Sequence, residues 1–183
     1  MKLVWDQADC SLELGGLTVV APPRDYPPFA CQAMVEEQDT HLTLGEQTVL
    51  TDPGKPTWYL AHTVERDEGY ALGSVISKGE KPLRLLAVVH DLDQEPTCTP
   101  AAVKQAYQAI MDIVAQRKLT SLALPLLGTV HGKVAASHSL QLLCEAIHQG
   151  FPKQLQQLWL MLAEGSPCHS KTLLSQLAHL KAI

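Results

Sequence analysis

The apolar and polar positions change pattern partway along the chain. Leu83-Arg84-Leu85-Leu86-Ala87-Val88-Val89-His90 is almost continuously apolar. That predicts a strand covered on both faces, inside a parallel region of a sheet. Thr99 then stands before Pro100, a cap and a first-turn proline for a helix. In that helix Val103, Tyr107, Ile110 and Val114 recur at helical spacing, and Gln116-Arg117-Lys118 brings cations to its end. Leu122-Ala123-Leu124 predicts a second buried strand. A helical pattern opening at Lys133-Val134-Ala135-Ala136 carries Val134, Leu140, Leu143, Cys144 and Ile147 and stops at Gly150. Residues 158–163 predict a third strand. Ser166-Pro167 opens a last helix with Leu173, Leu174, Leu177 and Leu180 on its apolar side, which is core or a face for a second copy. This alternation predicts right-handed crossovers with helices packed on a sheet.

The first half reads differently. Leu12 and Leu14 alternate with polar neighbours, Gly15-Gly16 follows, and Leu17-Thr18-Val19-Val20 resumes the pattern, which predicts a hairpin. Residues 21–28 contain four prolines and read as a stiff loop. Pro28 is placed to start a short helix running to about Glu37. Residues 41–44 and 47–50 flank Gly45-Glu46 as a second hairpin, and 51–56 form a turn cluster. Residues 58–64 are strand-like, with Trp58, Leu60 and His62 on one face; 65–69 are a solvated connection, and 71–77 another short strand. The antiparallel pairs of this half join the parallel strands of the second in one mixed sheet between helix layers.

Composition narrows the class. The chain has 183 residues, 46% hydrophobic and 18% charged, which suits one globular domain over 1–183 and excludes a disordered chain. A net charge of -5 gives no broad grip on nucleic acid or an anionic membrane. The five cysteines, Cys10, Cys31, Cys98, Cys144 and Cys168, form no CxxC pair and read as free thiols of a reducing compartment. Met1-Lys2-Leu3-Val4-Trp5-Asp6 lacks the apolar core of a signal peptide, and no apolar run reaches spanning length. A cytoplasmic protein without a cofactor is expected.

The candidate chemistry lies after the second buried strand. Gly128-Thr129-Val130-His131-Gly132 is a turn that two glycines leave free to take positive φ, between a strand and a helix N-terminus. That geometry presents free N–H groups to an anion, with roughly half a positive charge from the helix dipole. It also describes an ordinary tight βα turn. Ligands of open α/β sheets bind at the C-terminal strand ends, where His90, Asp91, Asp93, Thr129 and His131 are expected to meet. There an Asp–His pair would serve as general base on a water, or carboxylates and imidazoles would hold a metal. Asp91 and Asp93 are residue types that more often cap a turn or stay in water, and Cys144 suits buried packing.

Ser121-Leu122-Ala123-Leu124-Pro125-Leu126-Leu127-Gly128-Thr129-Val130-His131-Gly132 resembles the macro-domain segment that reads like SIAFPLIGTGVFG, and the resemblance is clearest over 83–183. Val130 stands where the family usually has glycine. The resemblance implies a three-layer α/β/α fold with a mixed sheet, shared with the N-terminal domain of leucyl aminopeptidases, that binds ADP-ribose or a related nucleotide. It implies that Gly128, Thr129, Val130, His131 and Gly132 contact the ligand's phosphates; with Leu127 before the turn and Asp91 from the neighbouring strand end they make the candidate ligand site, and no metal is expected. The family's Asn-Ala-Ala-Asn segment, glycine run and Gly-Asp-Ile motif have no match; Val19-Val20-Ala21-Pro22-Pro23 stands at the place compared with the first of these. The hydrolase residues therefore do not carry over, and Asp6, Asp9 or Glu13 is left to serve adenine. Three classes stay open: a small-molecule binder, an interaction domain that kept the fold and lost the ligand, and a small hydrolase using His131 and Asp91.

Overall fold

Side-chain alternation builds the sheet. The computed structural model describes residues 11–14, 16–21, 31–44, 69–150, 152–161 and 170–180. Its strands are β1 (Ser11–Leu14), β2 (Leu17–Val20), β3 (Ala33–Asp39), β4 (Val75–Lys78), β5 (Leu83–His90), β6 (Ser121–Pro125) and β7 (Gln157–Met161). Its helices are α1 (Pro100–Arg117), α2 (Ala136–Gly150) and α3 (Ser170–Leu180). The strands form one mixed sheet in the order β1-β2-β7-β6-β3-β5-β4. The ladders from β2 to β5 are parallel, and β1 and β4 close the edges antiparallel.

Leu17, Val19, Val35, Leu85, Ala87, Leu122, Leu124, Leu158 and Leu160 point into one apolar cluster with the helices. Val20, Ala123 and Trp159, from intervening positions, form a second cluster on the opposite face. Burial on both faces is what the continuous apolar runs predicted.

The predicted hairpin is β1–β2, with Leu14 opposite Leu17 and Gly16 at φ +96 in the turn. α1 is capped by Thr99, whose side chain accepts from the Ala102 amide, with Pro100 in its first turn. It buries Ala102, Val103, Ala106, Tyr107, Ile110, Met111 and Val114, a stripe at three- and four-residue spacing. Its C-terminus turns at Lys118, φ 53, where the Lys118 and Leu119 amides close on the Ala115 and Val114 carbonyls and the Gln154 side-chain amide donates to the same two oxygens.

Two expectations need correction. Residues 33–37, expected as the end of a short helix, are not helical but belong to β3, which pairs with β5 on one side and β6 on the other; the expected start at Pro28 lies outside the described residues. Pro28 alone points to the helix, and partners on β5 meet the acidic residues of the strand: Arg84 lies 2.6 Å from Glu36, and His90 2.9 Å from Glu37. Residues 41–44 are not a hairpin strand either. They wrap around Asp39, whose carboxylate accepts from the amides of His41, Thr43 and Leu44 and from the Thr43 hydroxyl. The proline loop, residues 47–64 with His62, and Asp6 and Asp9 lie outside the described residues.

Candidate functional site

The parallel strands β2, β7, β6, β3 and β5 bring their C-terminal ends to one edge, as the site expectation required. β3, with Glu36-Glu37-Gln38-Asp39, neighbours β6 and is the strand that reaches the turn at 128–132. Val19 and Val20 stand on β2, beyond β7. Two residues thus carry the site that sequence reasoning placed elsewhere or missed: Glu37, and the Ser139 that supports the turn from α2.

The turn is built from below by hydrogen bonds. Tyr107 is fully buried, and its hydroxyl accepts the Leu127 amide at 2.8 Å. Ser139 donates to the Leu127 carbonyl at 2.8 Å and meets the Tyr107 hydroxyl at 2.8 Å. Burial pushes the Tyr107 phenol above its ordinary range, so it stays protonated. Leu127 is therefore a support for the turn, and its amide is not offered to a ligand.

Gly128 has φ +79, and a Cβ there would lie 2.9 Å from Val134 Cγ2 and 3.0 Å from Cys98 Sγ. Both conformation and space demand glycine. Its amide donates to Glu37 Oε1 at 2.7 Å. The other carboxylate oxygen meets His90 Nε2 at 2.9 Å, with the two side chains 5% and 0% exposed. Thr129 closes the bend with its own chain, its amide and hydroxyl both donating to the Leu126 carbonyl.

The next three amides differ. Those of Val130, His131 and Gly132 make no hydrogen bond among the described residues. Val130 and His131 are exposed, and α2 begins a few residues later at Ala136.

His131 and His90 do meet, ring to ring, with centroids 5.9 Å apart and planes at 84°. A register shift in the β3–β5 ladder explains the orientation of His90. Gln38 pairs with Val88 and Asp39 with His90, so Val89 is an extra residue. The bulge lets Val89 enter the helix-side core while His90 also turns to Glu37.

Asp91 does not join this group. Its oxygens accept the Asp93 amide at 3.1 Å and the Gln94 side chain at 2.6 Å, so it caps its own loop. No hydrogen bond or ion pair links it to His131 among the described residues. Among those residues no three His, Cys, Asp or Glu side chains gather as a metal would require. Cys98 and Cys144 are buried, and burial first, then Glu37 and Glu145 respectively, pushes each thiol up to about 11. Glu13 lies on the edge strand β1 and accepts from Thr18. A groove of about 520 Å³ lies at the other end of the strands, lined in part by Cys31, Gln32, Lys81 and Arg117.

No family model and no curated relative matches the chain. Solved structures do. A macrodomain of Oceanobacillus iheyensis solved with ADP superposes with a TM-score of 0.65 at 15% identity, covering 93% of this chain and 95% of that one. The macrodomain of Mycobacterium tuberculosis DarG gives 0.58 at 14% identity over 79% and 98%. Thermosipho africanus DarTG in complex with ADP-ribose gives 0.61 at 14% identity over 89% and 46%. No helix among the described residues is long and apolar enough to cross a membrane. The chain, a mixed sheet with helices, thus has the α/β fold of macro domains, in a form far diverged in sequence.

Proposed function

We propose that this chain binds ADP-ribose or a related nucleotide or phosphorylated small molecule at the 128–132 turn. The observation that carries the reading is the run of three amides, at Val130, His131 and Gly132, that have no partner among the described residues, in a bend at the strand ends where Val130 and His131 are exposed. Such a run, next to a helix N-terminus, is a concave donor set for phosphate oxygens. Thr129 shapes the bend, and Leu127 and Gly128 fix it from below. His131 supplies a ring beside the ligand. Asp91 has no part in this version of the site. That neighbours of the same fold were solved with ADP and ADP-ribose supports the ligand class.

The second reading is an interaction domain that kept the fold and lost the ligand. It is favoured by the Glu37 carboxylate on the Gly128 amide, which already fills part of the donor set. Calorimetry with ADP-ribose separates the two. Val130→Glu places a carboxylate over the free amides at a half-exposed position, and it is expected to weaken binding at least about tenfold. Heat that persists unchanged in that variant rules out this site. No heat with ADP-ribose, ADP or AMP leaves the second reading standing.

A further inference from the structure

The amide that opens the turn already has an anion on it. Glu37 comes from the middle of the sheet, its side chain is 5% exposed, and both of its oxygens are held. Oε1 takes the Gly128 amide at 2.7 Å and Oε2 meets His90 Nε2 at 2.9 Å. The His90 ring is fully buried and backed by the exposed His131 ring, so the carboxylate is held on two sides. The remaining amides, at Val130, His131 and Gly132, are consecutive and have no partner among the described residues.

We infer that Glu37 sets which anions this turn accepts: it occupies the donor at the Gly128 end, excludes a second phosphoryl group from there, and leaves the three remaining amides for a single phosphate. The inference rests on the proposed binding at the turn and names its ligand class, a monophosphorylated small molecule. The reason is electrostatic as well as steric. A second phosphoryl group reaching toward Gly128 finds no free N–H and approaches a carboxylate that water screens poorly, because both Glu37 and His90 are buried. Like charge beneath a site discriminates by repulsion, without any new attractive contact to the accepted ligand.

The test compares affinities for AMP, ADP and ADP-ribose in the wild-type chain, Glu37→Gln and Glu37→Ala. Glutamine keeps the shape and an acceptor for Gly128 while removing the charge; alanine also frees the amide. The wild-type chain is expected to bind AMP at least as tightly as ADP. The ratio of ADP to AMP affinity is expected to rise about tenfold in Glu37→Gln and further in Glu37→Ala. Amide resonances give a second readout: pyrophosphate is expected to leave the Gly128 signal in place in the wild-type chain and to shift it in Glu37→Ala. If Glu37→Ala fails to fold, the glutamine variant decides alone. A wild-type chain that prefers ADP, with the ratio unchanged in Glu37→Gln, overturns the inference and leaves binding at the turn intact. Failure of all three ligands in both the wild-type chain and Glu37→Gln overturns the inference together with the binding it rests on.

Discussion

Gly128 and Glu37, 91 positions apart in sequence, share a hydrogen bond of 2.7 Å that ties the loop after β6 to the end of β3. The bond needs the backbone of residue 128 in a left-handed conformation with nothing attached to its Cα.

Gly128→Ala is therefore expected to be a stability variant before it is a binding variant. A left-handed alanine costs roughly 1–2 kcal/mol. Its methyl also presses on Val134, Cys98 and Val103 at 2.9–3.1 Å, overpacking worth about 1–3 kcal/mol. Urea unfolding checks this. An unchanged midpoint contradicts the packing described here. Gly128→Glu would confound a lost anion site with a broken turn, which is why Val130→Glu is the cleaner probe of binding.

Tyr107→Phe removes the acceptor of the buried Leu127 amide while filling nearly the same volume. An unpaired buried donor costs about 1–3 kcal/mol. Hydrogen exchange at Leu127 is expected to quicken along with the loss of stability. Exchange at that amide matching the wild-type chain would show that the phenol does not hold the turn.

Asp39 predicts an acid limb. Burial works to raise its carboxyl, but the Thr43 hydroxyl and the amides of His41, Thr43 and Leu44 outweigh it, so the folded pKa lies below the ordinary value. A depressed folded pKa contributes stability that is present above the unfolded pKa of about 3.9. That stability is lost as pH falls through the folded value. Unfolding measured from pH 6 down toward 2 is expected to weaken below about pH 4, less steeply in Asp39→Asn. Parallel curves for the two proteins would count against this account.

The thiols rank by burial. Cys98 and Cys144, pushed up to about 11, are expected to resist an alkylating reagent at pH 8 until the chain unfolds. Cys31, half-buried and raised by desolvation, reacts before them. Peptide mapping of partly labelled protein gives the order, and early label on Cys98 would show that the floor of the turn is open.

The legible parts of the chain were those where local pattern and tertiary role agree. Residues 83–90 and 121–125 are buried on both faces and look it, and Thr99-Pro100 caps α1 as its chemistry dictates. Glu36-Glu37-Gln38-Asp39 were illegible for the opposite reason. Of these, Glu36 is met by Arg84, Glu37 by His90 and Gly128, and Asp39 by the 40–44 bend, and all of these partners but the bend are remote in sequence. Asp91 looked like chemistry because it follows a buried strand, and local turn geometry claimed it. The one signal available for Glu37 was an acidic run directly after Ala33-Met34-Val35, itself a short apolar stretch of strand type.

The extra residue at Val89 has a consequence for insertion and deletion. A regular ladder shows every second side chain to a given side, so core filling and imidazole placement would compete for the same slots. By slipping one position, β5 supplies both from adjacent residues. The distance in residues between Ala87 and His90 is thus as much a specification of the polar floor as the identity of either histidine or acid. A chain lengthened by a single residue at that point would keep every side chain and still aim the ring away from its carboxylate.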